Sequence, residues 1–303
     1  MAHYLDPKYD LTFKRVFGEH KHLCKSLLNS MLPLENPIVD IEYQTGELIP
    51  ELVDVLRHTI VDVRCTDEAN RQFIVEMQLF WSESFKSRVL LNASKAYVMQ
   101  LNKADKISLI QPVYALNFVN ETFEKSDKMK EVYFHHYKIV NIKDTDKQIK
   151  GLEFLFIELP KFSTTNRAEK KLHNLWLRFL TEVNENTTEI PQDLLDNEEI
   201  REAVGYMKRA AYTKEQLLAY DKWKIDMLTE RGMIDDARAE GEAKGRAEGE
   251  AKGRAEGEQK KAVIIAQNLL EKDMSINDVS EITGLPVEKV RELNFSVSNL
   301  GSE

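Results

Sequence analysis

The sequence predicts an α/β protein with a mixed central sheet flanked by helices, followed by a helical C-terminal extension. Three observations support this fold class. The stretch Thr59–Leu79 alternates apolar and polar residues, which is typical of half-buried strands. Amphipathic helices precede and follow it, and a short apolar run at Pro112–Val119 is consistent with a central strand. From Asn166 to Gly232, apolar residues recur at helical spacing.

The N-terminal region predicts two helices before the first strand. Asp10 is a good cap for the first helix, which ends at Gly18, and the second ends before Pro33. Apolar residues line one side of each helix: Phe13, Val16 and Phe17, then Leu23, Leu27, Leu28 and Met31. We interpret Val39–Gln44 as a strand and Gly46–Leu56 as an irregular approach to the alternating stretch.

The alternating stretch is interpreted as two strands joined by a turn at Thr66–Asn70. Its apolar face consists of Val61, Val63, Cys65, Phe73, Val75, Met77 and Leu79. The opposite face carries Asp62, Glu76 and Gln78. Packing against a core accounts for the apolar face, whereas no local requirement accounts for the polar one.

The two acids of the polar face are expected to lie close together. A turn near Glu68 places Asp62 opposite Ile74 or Val75, one or two positions from Glu76. Diagonal neighbours on one face of an antiparallel pair lie roughly 7–8 Å apart. Two carboxylates this close repel each other unless a proton or a cation lies between them, and a hard divalent ion is a common solution. The alternative is that both acids are solvated on an exposed sheet face.

A long helix and three strands follow the alternating stretch. The helix Ser84–Ala104 carries Arg88 and Lys95 near the edges of its apolar stripe. The strands are expected at Pro112–Val119, Glu131–Ile142 and Leu152–Leu159. A mixed sheet is indicated by the order of these elements, which is helix, acid-bearing strands, helix and strand.

The remainder of the chain is predicted to be helical. Helices span Asn166–Gly232, with a break at Asn184–Thr188 and Pro191. Ala239–Glu258 is a tandem repeat with alanine and glycine every four residues and charges that alternate in sign at i,i+4. Each such charge pair adds roughly 0.2–0.5 kcal/mol to a helix, and each glycine costs about 1 kcal/mol. These contributions nearly cancel, so we expect a marginal, solvated helix or spacer.

The last segment resembles a helix-turn-helix. A helix at Lys261–Glu271 is followed by two short helices around Gly284–Leu285–Pro286, the first with Val279 and Ile282 inside. The second short helix carries a mixed set of charges: Glu288, Lys289, Arg291 and Glu292. Because this set has little positive charge, DNA reading and a dimerisation or docking role both stay open.

The composition limits the classes of protein to which the chain is expected to belong. Two cysteines among 303 residues provide neither a disulfide framework nor metal-ligand spacing, so a reducing cytoplasm is expected. No run of 18 apolar residues and no secretory signal pattern is present, so we expect no membrane association. The net charge of −9 disfavours a general nucleic-acid coat, although a nuclease could work with a local basic patch and a metal.

Four sequence segments together resemble the PD-(D/E)XK nuclease family transposases, also called recombination-promoting nucleases. They are DPKYDLTFKRVFG at the N-terminus, VDV around Asp62, VEMQ ending at Gln78, and the following helix with Arg88 and Tyr97. The resemblance covers roughly residues 1–160. It implies a restriction-endonuclease-like core and Mg²⁺-dependent cleavage of DNA phosphodiesters, with Mn²⁺ as an alternative ion, in DNA recombination or mobile-element activity.

The resemblance also implies roles for individual residues. Asp62 and Glu76 would be catalytic and bind the metal, and the carbonyl of Met77 would complete the metal site. Gln78 stands where the broader superfamily has lysine, and a glutamine can orient ligands only by hydrogen bonds. An acid from the first helix assists in such folds, and Asp10 is the candidate.

Lys14, Arg88 and Lys95 are the residues expected to contact the DNA backbone, which positions the duplex without reading its sequence. Glu19 is a weaker alternative to Asp10 as the assisting acid.

These inferences divide the chain into a nuclease-like domain (1–160), a helical extension (161–235), a charged spacer (236–260) and a helix-turn-helix-like tail (261–303). DNA and a divalent metal are the expected partners, and the C-terminal helices could form a homo-oligomer. The alternative function is a non-catalytic DNA-binding or oligomeric scaffold that retains a degenerate nuclease fold. A true transposase finds less support, because no second set of acids is organised for strand transfer.

Overall fold

The computed structural model describes the chain in six segments: residues 3–44, 47–48, 59–60, 62–102, 106–163 and 171–300. The chain divides into two compact units, Met1–Asp226 and Met227–Glu303. The first unit contains the sheet and the candidate site. Among the described helices, none is long and apolar enough to cross a membrane.

The first unit begins with α1 (Asp10–Phe13), which continues as a π-helical turn (Lys14–Gly18), followed by α2 (Lys21–Met31). Asp10 does not cap α1, because Tyr9 occupies the cap position and Asp10 is the first helical residue. Its carboxylate instead pairs with Lys14 one turn later. Single π-helical turns are rare and often occur at functional sites.

Five short strands follow: β1 (Ile41–Tyr43), β2 (Glu47–Leu48), β3 (Thr59–Ile60), β4 (Val63–Asp67) and β5 (Gln72–Gln78). The predicted single strand from Thr59 is therefore divided, since Thr59–Ile60 pairs with β2. Val61 and most of the predicted irregular segment lie outside the described residues. In the tight turn between β4 and β5, Asn70 adopts φ 61°, a left-handed conformation that asparagine tolerates better than most residues.

The register of β4 and β5 brings the two acids closer than the sequence predicted. Val63 pairs with Val75, so continuing the register by one residue places Asp62 level with Glu76. The predicted alignment of Asp62 with Ile74 or Val75 was wrong, because the turn is centred one residue later than Glu68.

The sheet is completed by three further strands, and α3 (Glu83–Met99) crosses between β5 and the first of them. These strands are β6 (Val113–Val119), β7 (Phe134–Asn141) and β8 (Asp144–Glu158). The strand order is β1-β4-β5-β6-β8-β7; β5, β6 and β8 are parallel and the outer strands are antiparallel. The predicted mixed sheet is thus confirmed. β8 begins earlier than predicted because its first half pairs with β7 alone.

Helices cover both faces of the sheet. One face packs against α1, α2 and three later helices, α4 (Lys171–Glu182), α5 (Gln192–Leu195) and α6 (Glu198–Met207). The other face packs against α3, which contributes Phe85 and Val89 to a second core. Phe17 and Trp176 meet edge to face at 5.3 Å in the first core, which also holds Cys65 of the predicted apolar face.

The predicted helical extension contributes to the same core as the nuclease-like region, since α4 and α6 pack against α2. The first compact unit accordingly reaches Asp226. It includes the start of α7 (Lys214–Leu270), where Tyr220 packs with Leu5 and Tyr212.

The second unit consists of the rest of α7 with α8 (Ile276–Thr283) and α9 (Val287–Leu300). The repeat is helical throughout and exposed. Ser275 caps α8 by accepting from the Asp278 amide, and Gly284 ends it at φ 70°. A small core joins the three helices: Ala266, Leu270, Val279, Leu285 and Val290. Ile282, predicted to lie inside, is 59% exposed.

Candidate active site

Asp62 and Glu76 lie at one end of the sheet, where β4 begins and β5 ends. The Met77 amide donates to Asp62 Oδ2 at 2.8 Å. This bond continues the contact between the two strands beyond their regular pairing, and it fixes the Asp62 carboxylate against β5.

Glu76 lies beneath α3 and is 6% exposed, so the alternative of a solvated acid on an open sheet face is wrong. The Asn92 amide donates to Glu76 Oε1 at 3.0 Å. Burial and the negative charge of Asp62 raise the pKa of Glu76 to about 7, against the opposing effects of Asn92 and Arg88. A carboxyl group in this environment holds a proton near neutral pH unless a cation replaces it.

Sequence reasoning missed Asn92. It is a polar residue among the apolar positions of α3, and it is 1% exposed. Its Oδ1 atom is buried without a hydrogen-bond partner in the described structure. The sequence does carry a signal that could have identified Asn92. It is a polar residue on the buried stripe of the helix that follows the two acids.

Asp62 also has a raised pKa, mainly because it is largely buried. The Met77 amide, Lys14 and Arg88 act in the opposite direction, and the charge of Asp10 adds to the increase. Desolvation therefore outweighs the available positive charge at both acids.

The first helix brings Asp10 and Lys14 to the same place. Lys14 Nζ lies 2.6 Å from Asp10 Oδ1 and 4.0 Å from Asp62 Oδ1. Lys14 therefore links the candidate assisting acid to the candidate metal ligand. Glu19, the weaker alternative, is exposed and affects the pKa values of Tyr206 and Tyr212 instead.

Gln78 and Arg88 form a hydrogen-bonded pair beside the acids. Arg88 Nη2 donates to Gln78 Oε1 at 2.5 Å, and Gln78 Nε2 donates to the Phe80 carbonyl at 2.6 Å. The Arg88 guanidinium also lies 5.0 Å from the centroid of the Phe85 ring. The uncharged Gln78 is thus bonded to a residue that carries positive charge.

Lys95, the third predicted DNA contact, is 8% exposed. Little of its side chain is therefore available to a DNA phosphate.

The donor set fits a hard divalent ion. The Met77 amide engages one oxygen of Asp62 and Asn92 engages one oxygen of Glu76, which leaves a second oxygen on each carboxylate for a ligand. No group of three or more His, Cys, Asp or Glu side chains in the described residues could hold a metal. Mg²⁺ is commonly bound by one or two carboxylates while it keeps several waters, so two acids suffice. Burial raises the pKa of both carboxyl groups, and a bound cation would offset this effect.

Comparison with protein-family models decides the family. A model described as PD-(D/E)XK nuclease family transposase matches residues 7–236. The chain belongs to the PD-(D/E)XK nuclease family transposases. No curated protein and no solved structure matched the chain.

Membership of the PD-(D/E)XK family confirms the restriction-endonuclease-like fold and indicates a nuclease or mobile-element role. Nucleases of this kind generally use divalent metals and act on DNA. The match continues past residue 160, where the resemblance was predicted to end, and includes α4, α5 and α6.

Proposed function

We propose that this protein is a Mg²⁺-dependent DNA endonuclease that hydrolyses phosphodiester bonds in DNA recombination or mobile-element activity. The observation that supports it most is the pair of acids at the end of β4 and β5. Asp62 is hydrogen-bonded to the strand that carries Glu76, and Glu76 is buried with a pKa of about 7. Perturbed acids of this kind often occur at functional sites, and here they occur in a member of a nuclease family.

Asp62, Glu76 and the Met77 carbonyl would hold the ion. When bound, Mg²⁺ supplies charge that stabilises the phosphate oxygens and lowers the pKa of a water molecule. The Met77 amide orients Asp62, and Asn92 orients Glu76.

Substrate contact is assigned to the cations nearest the acids. Lys14 and Arg88 would bind DNA phosphates and position the backbone without reading sequence. Asp10, coupled to Asp62 through Lys14, is the proposed assisting acid. In this proposal Gln78 has no charge to offer and acts through hydrogen bonds.

The test is cleavage of supercoiled plasmid and of single-stranded circular DNA by purified protein in Mg²⁺ or Mn²⁺. We expect the wild type to nick or linearise DNA, and Asp62→Ala and Glu76→Ala to lose this activity. Glu42→Ala is the matched control, because Glu42 is an exposed acid on β1 of the same sheet. Full activity in Asp62→Ala would assign the cleavage to a contaminant or to another site.

The scaffold alternative is favoured by one observation, the lack of a third acidic, histidine or cysteine ligand in the described residues. Calorimetric titration with Mn²⁺ separates the two functions. The endonuclease proposal requires binding by the wild type that is lost in Asp62→Ala and kept in Glu42→Ala. A wild type that binds DNA but no metal would support the scaffold.

A further inference from the structure

The end of β5 lacks a charged side chain where the superfamily has lysine. Gln78 can accept and donate hydrogen bonds there, but it cannot compensate the negative charge of a phosphate. If the site cleaves DNA, any side-chain charge that adds to that of the ion at the reacting phosphate has to come from elsewhere in the fold.

Arg88 is positioned to supply this charge. Its guanidinium is fixed on two sides, by Gln78 Oε1 at 2.5 Å and by the ring of Phe85 at 5.0 Å. The residue is nevertheless exposed, so its remaining donors face solvent. Gln78 lies two residues after Glu76 on β5, so its bond to Arg88 places the guanidinium beside the two acids.

Lys14 is the competing cation. Its ammonium group pairs with Asp10 at 2.6 Å and lies 4.0 Å from Asp62, so it compensates two acids already. Arg88, by contrast, is bonded to a neutral amide and keeps its full charge for a ligand. A guanidinium also matches phosphate geometry with two parallel donors, whereas an ammonium acts as a point charge.

We propose that Arg88 of α3 takes the place of the missing lysine and binds the reacting phosphate, and that Gln78 is the positioning residue that holds it there. This inference rests on the proposed endonuclease function. It assigns Arg88 a role in the chemical step, beyond backbone contact, and it explains how a glutamine can stand at this position.

The test compares single-turnover cleavage by four proteins: wild type, Arg88→Ala, Lys86→Ala and the double variant Gln78→Lys/Arg88→Ala. Lys86→Ala is the matched control, since it removes an exposed cation from the same helix, where Lys86 lies 5.2 Å from the Trp81 and Phe123 rings. We expect Arg88→Ala to lower the cleavage rate constant by about 100-fold or more with saturating DNA, as for other transition-state donors. Lys86→Ala should stay within about twofold, and the double variant should recover at least about tenfold over Arg88→Ala.

Two measurements do not depend on cleavage. Mn²⁺ affinity of Arg88→Ala, measured at about pH 8.5 where the carboxyl groups are ionised, should equal or exceed that of the wild type. Removal of a nearby cation does not weaken cation binding by ionised ligands, whereas damage to the fold would weaken it. Affinity for a DNA duplex in Ca²⁺ should fall in Arg88→Ala and be restored in the double variant.

The outcomes separate this inference from the proposed function. If the wild type cleaves and Arg88→Ala cleaves within about threefold of it, or the double variant is no faster than Arg88→Ala, the inference is overturned while the nuclease stands. If the wild type does not cleave, the proposed function fails. The DNA affinities then decide whether Arg88 binds phosphate at this site: restored affinity in the double variant supports it, and unrestored affinity overturns it.

Discussion

The buried carboxyl group of Glu76 should make the protein less stable as the pH rises in the absence of metal. The folded structure raises its pKa from 4.5 to about 7. A group with a raised pKa contributes stability that is complete below its unfolded pKa and is lost as the pH rises through its folded pKa. The predicted window is therefore between about pH 4.5 and pH 7.

The size of this effect follows from the pKa difference. At about 1.36 kcal/mol for each pKa unit, the full loss is about 3 kcal/mol. Roughly 2–3 kcal/mol of it should appear between about pH 5 and pH 8.5. The Glu76→Gln variant is nearly the same size and cannot ionise, so it should lack this component and be more stable than wild type at the higher pH.

The assay is urea unfolding of both proteins in EDTA at each pH, with Glu42→Gln as the exposed-acid control. The difference between wild type and Glu76→Gln cancels the titrations that the two proteins share and leaves that of Glu76 with its coupling to Asp62. Adding saturating Mg²⁺ at the higher pH should restore stability to the wild type and not to Glu76→Gln. A difference that stays constant within about 0.5 kcal/mol from pH 5 to pH 8.5 would refute the burial of an ionisable Glu76.

Other substitutions test separate parts of the structure. Asn92→Ala removes the donor that lowers the pKa of Glu76, so its Mn²⁺ affinity at neutral pH should fall and should recover as the pH is raised, as measured by calorimetry. Phe17→Ala, at a fully buried position, should cost about 3–5 kcal/mol in urea unfolding, and a smaller cost than 1 kcal/mol would contradict the packing against Trp176. Asn70→Val should cost about 1–3 kcal/mol because a β-branched residue tolerates φ 61° poorly, whereas Asn70→Gly should be close to neutral. Gly249→Ala in the repeat should stabilise the C-terminal unit by about 1 kcal/mol, since an added Cβ meets nothing within 4 Å, and an unchanged midpoint of thermal unfolding by circular dichroism would argue against a helix there.

Most of what the sequence predicted correctly about the site came from the two acid-bearing strands. Strict alternation placed Asp62 and Glu76 on the same face of neighbouring strands, and the structure confirms that placement. The register was wrong by at least one residue because it depends on the turn. The turn depends on Asn70 adopting a left-handed conformation, which the pattern of apolar residues does not specify.

The repeat shows a second limit of local reasoning. The stabilisation by its charge pairs and the destabilisation by its glycines nearly cancel. Helix propensity therefore does not decide whether the segment is helical. In the structure the segment is part of α7, which continues into the small core around Val279 and Val290. Helix propagation from an anchored end favours the helical form of such a segment.

The sequence by itself determined the fold class and the family and pointed to the two candidate acids, because periodicity and short motifs are local properties of the chain. Only the tertiary structure decided the environment of those acids. It placed α3 over their face, which buries Glu76 against Asn92, and it brought Arg88 to Gln78 across the gap between strand and helix. The pKa of a carboxyl group and the charge available to a phosphate depend on neighbours that are distant in the chain, so spacing alone could not predict them.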